Sequence, residues 1–158
     1  MVPASDVVPK FFVASTYCSL PVHIVFATKD RRPLIDAEWR DDLFHYLGGT
    51  ARKLEATTFG VGGTADHVHM LIGLKTTHSV ADLMREIKKS SSIWALTKRA
   101  DFAWQTGYGA FGIRASEIPV TLNYIHRQEE HHRTISSADE LRKLLAEFEF
   151  VYNEEYFD

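Results

Sequence analysis

Two hydrophobic periods alternate along this chain. Over residues 20–28 the period is two, and Val22, Ile24 and Phe26 fall on one face of a predicted strand. Lys29-Asp30-Arg31-Arg32-Pro33 reads as a charged turn. From Asp36, a capping residue, the period becomes helical, with a core stripe of Trp39, Leu43, Leu47, Ala51 and Leu54. Gly48-Gly49 is expected to weaken that helix or end it early. Residues 56–61 and 66–74 read as two strands about a turn at Gly62-Gly63. Ser79 opens a second helix, with Asp82 three residues on as a partial capping box. Its buried stripe is Val80, Leu83, Met84, Ile87 and Trp94, and Arg85, Lys88, Lys89 and Ser92 project from the other side. Residues 104–114 are glycine-rich and aromatic, a strand with a bulge or kink. Ser116 is expected to cap a helix running to about His132, with Pro119 in its first turn. Ser137 and Glu140 are expected to form the capping box of a last helix, with the stripe Leu141, Leu144, Leu145 and Phe148.

The order β-α-β-β-α-β-α-α suits an α+β fold, a ferredoxin-like (RRM-like) antiparallel sheet with helices on one face. At 158 residues the chain is about one domain and can bury a core without staples. Its 45% hydrophobic and 25% charged residues exclude a disordered or fibrous chain. No apolar run approaches ~20 residues, so no membrane span is expected. Residues 11–27 are fairly apolar, but Ser15, Thr16, Tyr17, Pro21 and His23 interrupt them and no clean small-x-small cleavage site follows. They are not read as a signal peptide. A single cysteine, Cys18, excludes a disulfide framework or a multi-Cys zinc finger and suits a cytoplasmic location.

Net charge is −3, which alone argues against a nucleic-acid partner. Its distribution changes that picture. Residues 1–128 hold 15 Lys+Arg against 12 Asp+Glu, whereas residues 129–158 hold 3 against 9. A mildly basic body therefore carries an acidic tail.

His67-Val68-His69 is the sharpest chemical signal. Residues two apart on a strand share a face, so both imidazoles emerge together as a bidentate metal site or as a structural pair. The second signal is Tyr124-Ile125-His126-Arg127-Gln128. Tyr124 and Gln128 are four apart on a predicted helix, and His131 falls on the same stripe. Ile118, Leu122 and Ile125 lie about a third of a turn away and can anchor it. This stripe fits either a site or an ordinary surface helix.

Together these stretches resemble the single-tyrosine HUH transposases of the smallest bacterial insertion sequences and their REP-associated relatives. The matching segments are VHIVFATKDRRPLI (22–35), DHVHMLIGL (66–74), IKKSSS (87–92), WQTGYGAFGI (104–113) and YIHRQEEHHR (124–133). The resemblance covers about residues 18–133, read as an HUH endonuclease-type domain, between an N-terminal extension over 1–17 and a helical acidic tail over 134–158. It implies single-stranded DNA with hairpins as substrate and Tyr124 as the nucleophile forming a 5′-phosphotyrosine. His67, His69 and Gln128 would be ligands of a divalent metal, Mg²⁺ or Mn²⁺. A homodimer joined at its sheet edges is also implied, with the tyrosine helix docked in cis or in trans.

Tyrosine has an ordinary pKa near ~10 and needs a proton acceptor at neutral pH. His126, His131 and Glu129 are the candidates. Mg²⁺ prefers oxygen ligands, so Mn²⁺ should bind at least as well, and no fourth N or S ligand for structural zinc is evident. Arg85, Lys88 and Lys89 form a basic helical face suited to phosphates, and Arg31 and Arg32 are placed to grip a hairpin stem. Tyr108 and Phe111 suit either base stacking or sheet packing. Asp66 is placed to orient a ligand histidine or to serve as a turn residue. His23, His45 and His78 read as structural and His132 as a surface residue. The tail helix can pack through Leu141, Leu144 and Phe148, or cover the site.

Four readings follow. The first is an active transposase. The second is a domesticated relative acting on host palindromic repeats, and the third a non-catalytic hairpin-binding module. The fourth, an unrelated metal-dependent hydrolase, would leave Tyr124 dispensable.

Overall fold

The structure, a computed structural model, describes residues 16–157. The extension expected over 1–17 therefore lies, up to residue 15, outside the described residues. The elements are β1 (Pro21–Ala27), α1 (Ala37–Lys53), β2 (Thr57–Gly63), β3 (His67–Gly73), α2 (Val80–Leu96), β4 (Gly109–Gly112), α3 (Ile118–His126), α4 (Gln128–His131) and α5 (Ser137–Glu147). The strands form one antiparallel sheet in the order β2-β3-β1-β4. This is the ferredoxin-like topology that the element order predicts. Among the described residues no helix is long and apolar enough to cross a membrane.

Strand alternation sorts the two faces. Ile24 and Phe26 of β1 and Val68, Met70 and Ile72 of β3 point into the main core. There they meet Trp39, Leu43, Leu47 and Ala51 of α1 and Leu83, Met84 and Ile87 of α2. The two crossover helices thus cover one face, as expected. His23, His67 and His69 point to the opposite face, where α3 packs on β2 and β3.

Six local expectations change. Helix α1 runs through Gly48-Gly49 without a break. Gly48 is buried where the helix meets β2, and its carbonyl accepts a 3.0 Å bond from Thr58 Oγ1. Packing there outweighs glycine's low propensity. Gly62 and Gly63 belong to β2 rather than to the turn, which falls at Thr64–Asp66. The strand expected over 104–114 is confined to Gly109–Gly112. The preceding segment turns through Gly107 at φ 87°, with one bridge from Trp104 to Thr28.

The helix expected as far as His132 breaks at Arg127 (φ −102°, ψ 19°), which separates α3 from α4. Its start is held by the Glu117 carboxylate, which accepts a bond from Arg114 N at 2.7 Å, rather than by Ser116. The last helix is capped by Ser136, whose hydroxyl accepts from Asp139 N at 3.1 Å. That cap lies one residue before the expected Ser137–Glu140 box. The shift leaves Ser137 and Glu140 facing the sheet, and both are buried.

Candidate metal centre and tyrosine site

His67 and His69 sit on β3 in the middle of the sheet, paired in register with Ala27 and Val25 of β1. Both rings are essentially without solvent exposure. Each is held at Nδ1. Asp66 Oδ1 lies 2.6 Å from His67 Nδ1, which also contacts Thr64 Oγ1 at 2.9 Å. Asp66 thus orients His67, as its position before the pair suggests. His69 Nδ1 is 2.8 Å from His23 Nε2. The Nε2 atoms of both rings are thereby aimed away from the sheet, the arrangement that orients metal-ligating histidines.

Facing them are α3, α4 and α5. Helix α3 approaches closely because β2 carries glycine where it passes. A Cβ on Gly62 would collide with the Ile125 carbonyl, and one on Gly60 would reach Leu122 Cδ2 at 2.6 Å. This brings the Tyr124 ring to 5.6 Å from His69 and 6.1 Å from His23, centroid to centroid. Within the chain, the tyrosine helix packs on β2 and β3. Gln128 is 1% exposed, and its Oε1 lies 3.0 Å from His67 Nε2. Its Nε2 donates to Tyr124 O and to Glu140 Oε1.

Two unforeseen side chains complete the chamber. Glu140, the expected capping residue, is 3% exposed, with Oε2 3.4 Å from both His67 Nε2 and His69 Nε2. His132, read as a surface residue, places Nε2 2.7 Å from Glu140 Oε2 and 3.0 Å from Gln128 Oε1. His67, His69, His132 and Glu140 each offer a ligand atom, all within 4.8 Å of one another. A further nitrogen donor is therefore present after all. His69 Nε2 is a buried nitrogen with no hydrogen-bond partner among the described residues. An unpartnered imidazole nitrogen beside two further imidazoles, an amide oxygen and a carboxylate is a donor set that fits a divalent cation.

The pKa pattern follows from these contacts. Burial by itself lowers His67, but hydrogen bonds with Asp66, Glu140 and Gln128 outweigh it and raise it to about 9. Burial works against ionised Glu140, yet its contacts with His67 and His69 bring it down to about 2. Burial, then the charge of His69, lowers His23 to about 3. Burial, then the charge of His67, lowers His132 to about 4. Burial lowers His69 as well.

Beside the chamber lies a cleft of ≈ 600 Å³ lined by Tyr124, His131, Glu140, Lys143 and Phe148, among others. Of the candidate proton acceptors, His131 lies nearest the tyrosine, ring centroids 5.3 Å apart. Glu129 is drawn off to Arg40 at 2.6 Å. His126 is exposed over Gly60 of β2.

The five basic residues are not one patch. Arg31 is half-buried, and its Nη1 donates to Ser137 Oγ. Arg32 pairs with Asp101 at the surface. Arg85 pairs with Asp82, and Lys89 is exposed, both on the helix that covers the far face. Lys88 Nζ instead donates to the carbonyls of Gln105 and Gly107, which pins the loop before β4. Phe111 is buried against Phe148, whereas Tyr108 is exposed.

Of the three residues missed, His23, His132 and Glu140, the first and last were missed for different reasons. His23 was legible, because alternation puts it opposite the core stripe, on the face of the histidine pair. Glu140 was hidden by a plausible local role.

The chain belongs to the IS200-like transposase family, whose sequence model matches residues 16–128. No curated protein matches it. In fold it is similar to a candidate transposase from Deinococcus radiodurans R1, with TM-score 0.60 and 19% identity over 72% of this chain and 95% of that one. It is also similar to a REP-associated tyrosine transposase bound to a REP hairpin, with TM-score 0.58 and 17% identity over 75% of this chain and 72% of that one.

Proposed function

We propose that this transposase cleaves and rejoins single-stranded DNA through Tyr124, at sites marked by hairpins. The observation that carries the reading is the meeting of Tyr124 with the buried His67/His69/Gln128 cluster, on a face left open by Gly60 and Gly62. Family membership and the hairpin-bound neighbour support the DNA substrate.

In this reading the Tyr124 hydroxyl oxygen attacks a DNA phosphorus. A tyrosine–phosphate bond forms, the bond to the 3′ oxygen breaks, and a free 3′-hydroxyl leaves. The phosphotyrosine conserves the bond energy, so the reverse attack rejoins strands without ATP. We assign the tyrosine proton to His131, whose ring centroid lies 5.3 Å from that of Tyr124. His67, His69 and Gln128 would hold the divalent ion, Mg²⁺ or Mn²⁺. When bound, such an ion supplies Lewis-acid stabilisation of charge on the phosphate. Asp66 and His23 hold the two imidazoles at the correct nitrogen. Arg31, Arg32, Arg85 and Lys89 are the proposed phosphate contacts. The pinning of Lys88 by two carbonyls gives it a structural part alongside. We retain the homodimer joined at its sheet edges, which sedimentation of the free protein checks.

Single-stranded oligonucleotides from both flanks of the gene, incubated with protein and Mn²⁺ or Mg²⁺, should yield an adduct that survives SDS. Tyr124→Phe should abolish the adduct and retain hairpin binding within about twofold, since only one hydroxyl is removed. Chelation by EDTA should abolish it as well. Strand cutting by Tyr124→Phe would overturn the nucleophile assignment and favour a metal-dependent hydrolase. Tight hairpin binding with no cutting would favour a binding module.

A further inference from the structure

The chamber behind Tyr124 crowds oxygen acceptors against imidazole nitrogens. His132 Nδ1 is 2.6 Å from the Ile135 carbonyl oxygen. A carbonyl only accepts, so this nitrogen carries the proton and Nε2 carries a lone pair. That Nε2 faces Glu140 Oε2 at 2.7 Å and Gln128 Oε1 at 3.0 Å. The Gln128 amide is oriented by its NH₂, which donates to Tyr124 O and Glu140 Oε1. Its oxygen is therefore an acceptor here. His67 has the same geometry, with Nδ1 on Asp66 and Nε2 facing Gln128 Oε1 at 3.0 Å and Glu140 Oε2 at 3.4 Å; in the metal-free chain a proton on this Nε2 holds the place that a metal ion would take. His69 Nε2, wholly buried, has no hydrogen-bond partner among the described residues and also faces Glu140 Oε2 at 3.4 Å. Acceptors this close in a dry chamber repel one another unless positive charge lies among them. A single cation satisfies all of them at once.

We infer that the acidic tail completes the metal centre, with His132 and Glu140 joining His67, His69 and Gln128 as ligands of one divalent ion. The inference rests on the reading of the histidine pair as a metal site. Both added ligands lie beyond residue 128, outside the stretch that matches the family model. The tail thereby acquires a function: its last helix delivers a carboxylate to the site through a sheet-facing position. Three imidazole nitrogens with a carboxylate suit a transition ion that accepts nitrogen, such as Mn²⁺ or the softer Zn²⁺, better than Mg²⁺, which favours an all-oxygen shell. The carboxylate also offsets one of the ion's two charges. Neighbouring contacts hold the tail in place for this. Ser137 Oγ is 3.2 Å from Asp66 Oδ2, so the residue that orients His67 also anchors the first turn of α5.

The test is Mn²⁺ binding to the full chain without DNA, read as the loss of the free-ion paramagnetic resonance signal. Glu140→Gln and His132→Ala should each weaken binding by at least about tenfold, as should His69→Ala. Glu147→Gln, an exposed change on the same helix, should leave binding within about twofold. Electron spin-echo modulation on the unmutated chain counts the imidazole nitrogens coupled to Mn²⁺, and three are expected. That measurement holds even if a variant fails to fold. Near-normal affinity in Glu140→Gln and His132→Ala, with binding lost in His69→Ala, would overturn this inference and leave the metal reading intact. Two coupled imidazoles would likewise remove His132. An unmutated chain that binds no Mn²⁺ would overturn both readings together.

Discussion

His67 uses its two nitrogens for different tasks, and its neighbours enforce the division. Asp66 fixes one side and the Gln128–Glu140 pair faces the other. In the chelated, metal-free chain this arrangement has a pH signature. His67 is held at about 9, so its stabilisation is full below its ordinary 6.5 and is lost as pH rises through about 9. His23 and His132, held at about 3 and about 4, act in the opposite sense. Below pH 6.5 the unfolded chain takes up protons that the fold refuses, and stability falls with pH. Glu140, at about 2, adds stability that is full above its ordinary 4.5 and lost as pH falls through about 2. The thermal midpoint in EDTA should therefore peak near pH 6.5 and decline on both sides. A midpoint that climbs steadily to pH 9 would show that His67 is not held protonated. At this scale His67, His69, Tyr124 and Gln128 were legible, because i+2 on a strand and i+4 on a helix are local rules. Glu140 was not, because its partners lie on a strand more than seventy residues earlier.

At the scale of elements, the approach of α3 to β2 decides whether a tyrosine on a helix reaches histidines on a sheet. Gly60 and Gly62 fall on the face of the histidine pair, opposite Leu71 and His69 in the register. Read as sequence, Gly62-Gly63 signals a turn. In the fold Gly62 is a strand residue whose missing side chain makes room for the backbone at Ile125. Gly62→Ala should displace α3, destabilise the protein by about 1–3 kcal/mol and reduce adduct formation far more than hairpin binding. Denaturant titration alongside the adduct assay checks this. A variant of normal stability and activity would show that α3 has room to spare. The break at Arg127 acts at the same scale. It separates α3 from α4, whose first residue Gln128 is buried, where one unbroken helix to about His132 was expected.

Across the whole molecule, charge is divided between a mildly basic body and an acidic tail, and the basic residues are themselves divided between the faces. Arg85 and Lys89 stand exposed on α2, away from the histidines, Arg31 stands near Asp66 and α5, and Arg32 pairs with Asp101. If α2 touches the DNA, neutralising Arg85 and Lys89 together should weaken hairpin binding and flatten its log–log salt dependence by about 1–2 units. The melting temperature should stay unchanged, because neither side chain is buried. An unchanged salt slope would place the DNA wholly on the histidine face. Lys88→Ala should behave differently and loosen the loop before β4, visible as faster hydrogen exchange around Gly107.

The chain's own order of periods determined the ferredoxin-like sheet, its two crossover helices and the strand that carries the histidine pair. Those features depend on residues near one another, where period and capping chemistry act directly. Only the folded molecule decided the last helix's register, the break at Arg127 and the convergence of His23, His132 and Glu140 on one chamber. A one-residue shift of a helix cap is nearly neutral locally, since Ser136 and Ser137 both suit the role. The outcome was settled by which register buries Ser137 and Glu140 against Asp66 and the histidines. Long-range pairing of charge and lone pairs makes that choice, and no local pattern encodes it.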